Sequence, residues 1–140
     1  MSLTLDQART IIGAALAHGR AQGLAPLCVV VLDAGGHAVA FEREDGCANR
    51  RFDVAHGKAH GAISLGVGSR TLDKMAVERP HFVAGVTAAI GGSLVPVPGG
   101  VLVITDGATV GAVGVSGDTS DHDEAAAIAG IEAAGLEART

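Results

Sequence analysis

The chain has 140 residues and a net charge of −5, from 10 Lys and Arg against 15 Asp and Glu. This length predicts one domain, and the acidic balance excludes a general nucleic-acid binder, which needs a basic face. Hydrophobic residues make up 48% of the chain, which excludes a disordered protein. Aromatic residues make up only 2%, which argues against base-stacking platforms and aromatic cages.

The N-terminus mixes polar and apolar residues, without the basic start and apolar core of a signal peptide. No uncharged apolar stretch reaches the length of about 18 residues that a membrane span needs. Cys28 and Cys47 are too few for a disulfide framework. We therefore expect a cytoplasmic protein with no membrane partner.

Apolar periodicity and turn residues divide the chain into helices and strands. The capping box Thr4-Leu5-Asp6-Gln7 begins the first helix, and Asp33-Ala34-Gly35-Gly36 joins two strands in a hairpin. Pro80 divides the helical stretch over residues 70–90. Residues 95–100 resemble an edge strand and turn, because proline cannot donate within a central strand. The predicted elements are a helix over 5–22, strands over 27–32 and 37–43, a helix over 49–65, helical segments within 70–90, strands over 95–97, 101–105 and 109–115, and a helix over 121–136.

The strands come in hairpin groups and do not alternate strictly with helices. This arrangement favours an α+β domain with an antiparallel sheet, in the order α-β-β-α-α-β-β-β-α, over a doubly wound nucleotide fold. Familiar catalytic motifs are missing from the sequence, including the P-loop and C-x-x-C. Asp118 also stands where a G-x-S-x-G nucleophile elbow needs its last glycine.

Three histidines are candidate ligands for iron or a divalent metal ion. His56 and His60 are four residues apart on the second predicted helix, so they can face one ion. His56 falls within the apolar stripe of that helix and His60 at its edge, while His18 borders the stripe of the first helix. The alternative interpretation is that all three are ordinary helix histidines bordering the core.

Basic residues in the middle of the chain form a second candidate group. Lys58 and Arg51 share the flank opposite the apolar stripe, and Arg70, Arg79 and His81 follow. A folded-back chain would bring these cations around one anionic ligand, with arginine forming bidentate contacts to a carboxylate. The alternative is an ordinary solvated surface.

A polar run over residues 117–124 joins the last long strand to the final helix. Ser120 or Asp121 is expected to cap that helix, and capping accounts for some of the acids. The remaining groups could bind a divalent cation or act as general acid and base. The candidates in this run are Asp118, Asp121, Asp123 and Glu124. Arg43, at the end of the first hairpin, could also reach a pocket.

Several segments together resemble a known family. The segments are Val30-Val31-Leu32-Asp33-Ala34-Gly35-Gly36-His37, Arg43-Glu44-Asp45-Gly46, Lys58-Ala59, Pro98-Gly99-Gly100-Val101 and Gly111-Ala112-Val113-Gly114-Val115-Ser116-Gly117. Their combination and order resemble the GlcG/HbpS-like family of haem-degrading or haem-binding domains, related to the C-terminal domain of PduO-type proteins. The resemblance implies a profilin-like or PAS-like domain, with a five-stranded antiparallel sheet flanked by helices. It also implies homo-oligomers, from dimers to octamers, and haem binding in some members.

The leading functional hypothesis is a binding protein for haem, another tetrapyrrole or a small molecule, in the service of a catabolic pathway. In that hypothesis His18, His56 or His60 is the iron ligand. The alternative is an oligomeric enzyme of tautomerase, isomerase or lyase type, cofactor-independent or metal-assisted, acting on a small carboxylate or keto acid. Its anion would be bound by Lys58, Arg70 and Arg79, and its protons moved by His81 and Asp121 or Asp123. A ligand-free scaffold subunit is the third possibility.

Overall fold

The computed structural model describes residues 2–140, which form five helices and a five-stranded antiparallel sheet. Along the chain the elements are α1 (Leu5–Ala21), β1 (Cys28–Asp33), β2 (Ala38–Arg43), α2 (Arg51–Leu65), α3 (Ser69–Glu78), α4 (Pro80–Ala89), β3 (Gly100–Thr105), β4 (Ala108–Ser116), α5 (Ser120–Ala133) and β5 (Glu137–Arg139). The strand order in the sheet is β2-β1-β4-β3-β5. The predicted α+β class and five-stranded antiparallel sheet are confirmed. Within residues 2–140, no helix is both long and apolar enough to cross a membrane.

The sheet separates two apolar layers, and alternation along β1 divides its side chains between them. Val29 and Val31 pack on the layer that contains α1 and α5. Cys28, Val30 and Leu32 face the opposite layer, which contains α2. Helices α3 and α4 enclose a smaller cluster of their own around Leu72, Val83 and Leu94. Because successive side chains of a strand point to opposite faces, the fully apolar run in β1 reflects helices on both sides.

Glycines in the central strands let α2 lie very close to the sheet. A Cβ added at Gly114 of β4 would overlap the carbonyl oxygen of Ala55, and one at Gly100 of β3 would overlap that of Lys58. Only glycine permits such a close approach of two backbones. The glycine-rich motifs of β3 and β4 therefore fix the position of α2, the helix that carries His56, Lys58 and His60.

The fifth strand is not where the sequence predicted it. The expected strand over 95–97 is irregular, because Pro96 and Pro98 lack backbone N–H groups and Val95 donates its own N–H to Gly57 of α2 at 3.1 Å. The fifth strand is instead β5, which pairs with β3. The middle of the chain holds three helices rather than two, since Pro80 begins α4 as a separate helix.

The final helix also begins and ends at residues other than those predicted. Thr119, rather than Ser120 or Asp121, is the N-cap of α5, and its hydroxyl accepts a hydrogen bond from the His122 N–H at 3.3 Å. The helix ends at Ala133 and not at residue 136, because Gly135 adopts a left-handed conformation with φ of 74°. By contrast, the capping box predicted for α1 is present at Thr4.

Candidate functional site

The mid-chain basic residues and the polar run over residues 117–124 come together in the structure, and a buried ion pair joins them. Lys58 of α2 donates to the Asp123 carboxylate at 3.0 Å and to the Val115 carbonyl at 3.0 Å. The Lys58 and Asp123 side chains are only 2% and 1% exposed. Lys58 thus faces the sheet and α5. The prediction that it lies on the flank opposite the apolar stripe is wrong, because Gly99, just before β3, leaves room for its side chain there: a Cβ added at Gly99 would lie 2.9 Å from Lys58 Nζ.

Both groups of this buried ion pair are hydrogen-bonded within the fold. The second oxygen of Asp123 accepts the backbone N–H of Asp118 at 2.9 Å. Burial lowers the pKa of Lys58 and raises the pKa of Asp123, and each charge partly offsets that effect on its partner. Because both side chains are buried and bonded to one another, the two groups join α2, β4 and α5 rather than meet a ligand.

Arg70 forms the second contact between the segments. Its guanidinium binds the Glu124 carboxylate through Nε at 3.1 Å and Nη2 at 3.0 Å, and it also pairs with Asp121. These carboxylates raise the pKa of Arg70. A bidentate pair of this kind occupies the geometry that a substrate carboxylate would need.

The remaining basic candidates lie apart from that junction. Arg79, between α3 and α4, stacks its guanidinium 4.4 Å from the ring centroid of Phe82. His81 is exposed in the first turn of α4, whereas Asp121 is held by Arg70 and Asp123 by Lys58. The proposed acid–base group is therefore not assembled in this chain, and the geometry does not favour the enzyme alternative.

Arg43 does line a cavity, as its position at the hairpin end suggested. This cavity has a volume of about 450 Å³ and contains two cations and three carboxylates: Arg20, Arg43, Glu42, Glu44 and Asp45. Arg20 is already paired with Glu44 at 3.0 Å. The excess of negative charge makes this cavity a poor site for an anionic ligand.

Histidines and phenylalanines form a continuous ladder on the side of α2 that faces away from Lys58. The ring of Phe41 on β2 meets Phe52 edge-on, with centroids 4.7 Å apart. Phe52 and His56 are separated by 5.8 Å, and His56 and His60 stack at 5.3 Å. Two of the three phenylalanines of the sequence thus lie next to the two candidate histidines.

Ser93 orients both imidazoles. His60 Nδ1 lies 2.8 Å from the carbonyl oxygen of Ser93, and His56 Nδ1 lies 2.7 Å from its hydroxyl. A carbonyl can only accept, so Nδ1 of His60 carries the proton. Burial and the neighbouring His60 lower the pKa of His56, which keeps its ring neutral around pH 7. A neutral imidazole that donates from Nδ1, as His60 does and as the Ser93 hydroxyl allows His56 to do, has a lone pair at Nε2 for a metal.

The largest described cavity lies beside this ladder. Its volume is about 720 Å³, within the range of small-molecule sites. It is bounded by residues 91–95 and by the outer face of α2, the side away from Lys58. Its lining is mainly apolar and also includes the charged Asp53. The lining residues include Ala38, Phe52, Val54, His56, Gly57, Leu94 and Val95. His56 is the candidate ligand that faces this space.

His18 lies elsewhere, in a cavity of about 270 Å³ that it shares with His122. Among the residues that the structure describes, no three His, Cys, Asp or Glu side chains converge as a metal site. Ser93 and Phe41 were missed by the sequence analysis. The break at Gly91-Gly92 was visible in the sequence, but a pattern of local periodicity cannot predict that the segment folds back onto α2.

Fold and cavity together define an α+β domain with a large, mainly apolar cavity beside α2. The chain matches the family described as "Haem degrading protein HbpS-like" over residues 3–132, so it belongs to that HbpS-like family. The resemblance found in the sequence is therefore confirmed.

The chain is also similar to a known protein in sequence and to solved structures in fold. An uncharacterized 15.0 kDa protein from the dhaT-dhaS intergenic region of Citrobacter freundii is 32% identical over 98 residues, which are 70% of this chain and 68% of that protein. The crystal structure of HbpS has a TM-score of 0.82 and 29% identity, covering 94% of this chain and 89% of the other. The PduOC:heme complex has a TM-score of 0.88 and 21% identity, with complete coverage of both chains, and shares the fold.

Proposed function

We propose that this protein binds haem or a related tetrapyrrole in the 720 Å³ cavity between α2 and residues 91–95, with His56 as the iron ligand. The observation that carries the proposal is a half-buried imidazole that lines a large apolar cavity, while Ser93 holds its Nδ1 at 2.7 Å. Metal-bound histidines are commonly oriented in this way by a partner on the second ring nitrogen.

The lining suits a large, flat and mostly apolar ligand. Phe52 and His56 offer ring surfaces, Leu94 and Val95 offer aliphatic contact, and a Cβ added at Gly91 or Gly92 would meet open space. The sparse aromatic content of the chain is no obstacle, because Phe52 lines the cavity and Phe41 packs against Phe52, with ring centroids 4.7 Å apart. Haem carries two propionates, so this ligand also satisfies the prediction of an anionic small molecule. When bound, haem supplies a redox-active iron.

A family description and one solved structure support the choice of ligand class. The family description refers to haem degradation, and the PduOC:heme complex has the same fold as this chain. The chain's own contribution is to hold a neutral imidazole at the cavity wall. The lowered pKa of His56 favours the unprotonated ring, which is the form that binds iron.

A haemin titration of the apo-protein, followed by the Soret band, tests this proposal. We expect a shifted Soret band in the wild type and its loss in His56→Ala. Ser93→Ala should weaken binding by about 10–100-fold, the usual effect of removing a group that orients a metal ligand. His18→Ala and His81→Ala are the matched controls and should bind as the wild type does. A normal spectrum in His56→Ala, or a loss in His18→Ala instead, would refute the assignment.

We further propose a cytoplasmic homo-oligomer. Val77, which is 78% exposed, and Phe82 on α4 offer an apolar surface that supports contact between copies. The two free thiols, Cys28 and Cys47, support a reducing compartment. Light scattering coupled to size-exclusion chromatography distinguishes an oligomer from a monomer.

A further inference from the structure

A second, smaller cavity contains an arrangement that the haem proposal does not use. It has a volume of about 270 Å³ and lies between the end of α1 and the start of α5. Its lining residues are His18, Gln22, Leu24, His122 and Ala125. His18 and Gln22 are four residues apart at the end of α1, so their side chains lie on one face. Two imidazoles and one carboxamide therefore border the same small space.

The tautomer of His122 is fixed by Asp118. His122 Nδ1 lies 2.7 Å from Asp118 Oδ2. Asp118 also accepts the backbone N–H groups of Ala25 and Thr119, each at 2.8 Å, so both of its carboxylate oxygens act as acceptors. An ionised carboxylate can only accept, so Nδ1 of His122 is the donor and Nε2 carries the free lone pair. Such a carboxylate–histidine pair is the usual support of a metal-ligating imidazole.

We propose that this cavity binds a divalent first-row transition ion of the Zn²⁺ class, with His18 and His122 as imidazole ligands. The Gln22 carboxamide oxygen is the third protein ligand, and water completes the coordination. Imidazole suits zinc, copper and nickel, whereas a Ca²⁺ or Mg²⁺ site would need carboxylate ligands facing the ion. The Asp118 carboxylate is already turned to His122 and acts as the orienting group.

The site is separate from the haem cavity in its residues, so the two proposals fail independently. Zinc chloride titrated into the EDTA-treated protein and followed by isothermal titration calorimetry is the direct test. We expect one saturable site per chain, weakened at least about 10-fold in both His18→Ala and His122→Ala. Asp118→Asn should weaken binding by about 10–100-fold, as expected for the loss of a carboxylate that supports a ligand. The control variant His81→Ala, at an exposed histidine outside both cavities, should bind zinc as the wild type does.

A gain-of-function variant distinguishes the loss of a zinc ligand from simple misfolding. Gln22→His replaces the carboxamide with a third imidazole and should tighten zinc binding at least about 10-fold, since imidazole is the better zinc ligand. In the wild type, zinc should shift the NMR signals of the His18 and His122 rings and leave those of His81 unchanged. Three results would each overturn the proposal. They are no saturable zinc binding, zinc binding in His18→Ala and His122→Ala as tight as in the wild type, and no tightening in Gln22→His.

Discussion

The two faces of α2 use polar side chains in opposite ways. On the inner face, Lys58 is buried, and its charge is matched by Asp123 at 3.0 Å. On the outer face, His56 and His60 are half-buried, and Ser93 holds only one nitrogen of each ring. Among the residues that the structure describes, no buried side-chain polar atom lacks a partner. A polar group whose bonding is complete within the fold stabilises the fold, and one with a free lone pair beside a cavity is available to a ligand.

Sequence spacing alone does not reveal this contrast. Lys58 lies two residues from His56 and two from His60, within one stretch of helix. Both residue types are common candidates for function. What separates them is the layer that each side of α2 meets, which is set by glycines far along the chain in β3 and β4.

The largest expected effect is on the inner face. Lys58→Ala leaves the Asp123 carboxylate buried without its counter-charge, and we expect a loss of about 3–5 kcal/mol in the free energy of unfolding. This is a large share of the stability of an ordinary domain, about 5–15 kcal/mol. Urea denaturation followed by circular dichroism measures the loss.

The double variant Lys58→Met with Asp123→Leu is the control for that measurement. It removes both charges and keeps side-chain volume, so its stability should be close to that of the wild type. If Lys58→Ala were as stable as the wild type, the inner face could not be regarded as structural.

A smaller effect is expected from adding a side chain at a glycine of the sheet against which α2 packs. Gly114→Ala forces a Cβ into the Ala55 carbonyl and should cost about 1–3 kcal/mol or more. Gly13→Ala is the matched control, because this glycine lies in α1 with open space around it. There the same substitution should stabilise by about 0.5–1 kcal/mol. Equal effects in the two variants, measured by thermal or urea unfolding, would contradict the close packing of α2.

The smallest expected effect is a pH dependence from the outer face. The pKa of His56 in the folded protein lies below its usual value of 6.5, so protonation favours the unfolded chain. The contribution of His56 to stability is therefore complete above pH 6.5 and is lost as the pH falls below it. Between pH 7.5 and 5, the urea midpoint should fall more in the wild type than in His56→Gln. Parallel curves for the two proteins would show that His56 is not held in its neutral form.

Much of the fold could be predicted from local pattern. The capping box at Thr4, the hairpin at residues 33–36 and the boundary at Pro80 each have a short-range physical cause, and each appears in the structure. β5 could not be predicted in this way, since three residues give too little alternation and their pairing with β3 is a long-range event. The prediction of a strand over residues 95–97 was wrong because that segment packs on α2 rather than on the sheet.

The candidate site was predictable only in part. The sequence indicated His56 and His60 as a pair because helical spacing is regular. It gave no means of finding Ser93, which reaches them across 37 and 33 residues of chain. The burial of Lys58 also escaped prediction, because it depends on contacts with Asp123, 65 residues away. Local periodicity predicts which residues share a helix face, but not what that face meets.

The central claim is that the cavity beside His56 is the haem site. A crystal structure of the protein loaded with haemin tests it most directly. The account predicts haem between α2 and residues 91–95, with iron bonded to Nε2 of His56 and with Ser93 still hydrogen-bonded to its Nδ1. Haem bound elsewhere in a saturated crystal, with this cavity empty and His56 unliganded, would contradict it.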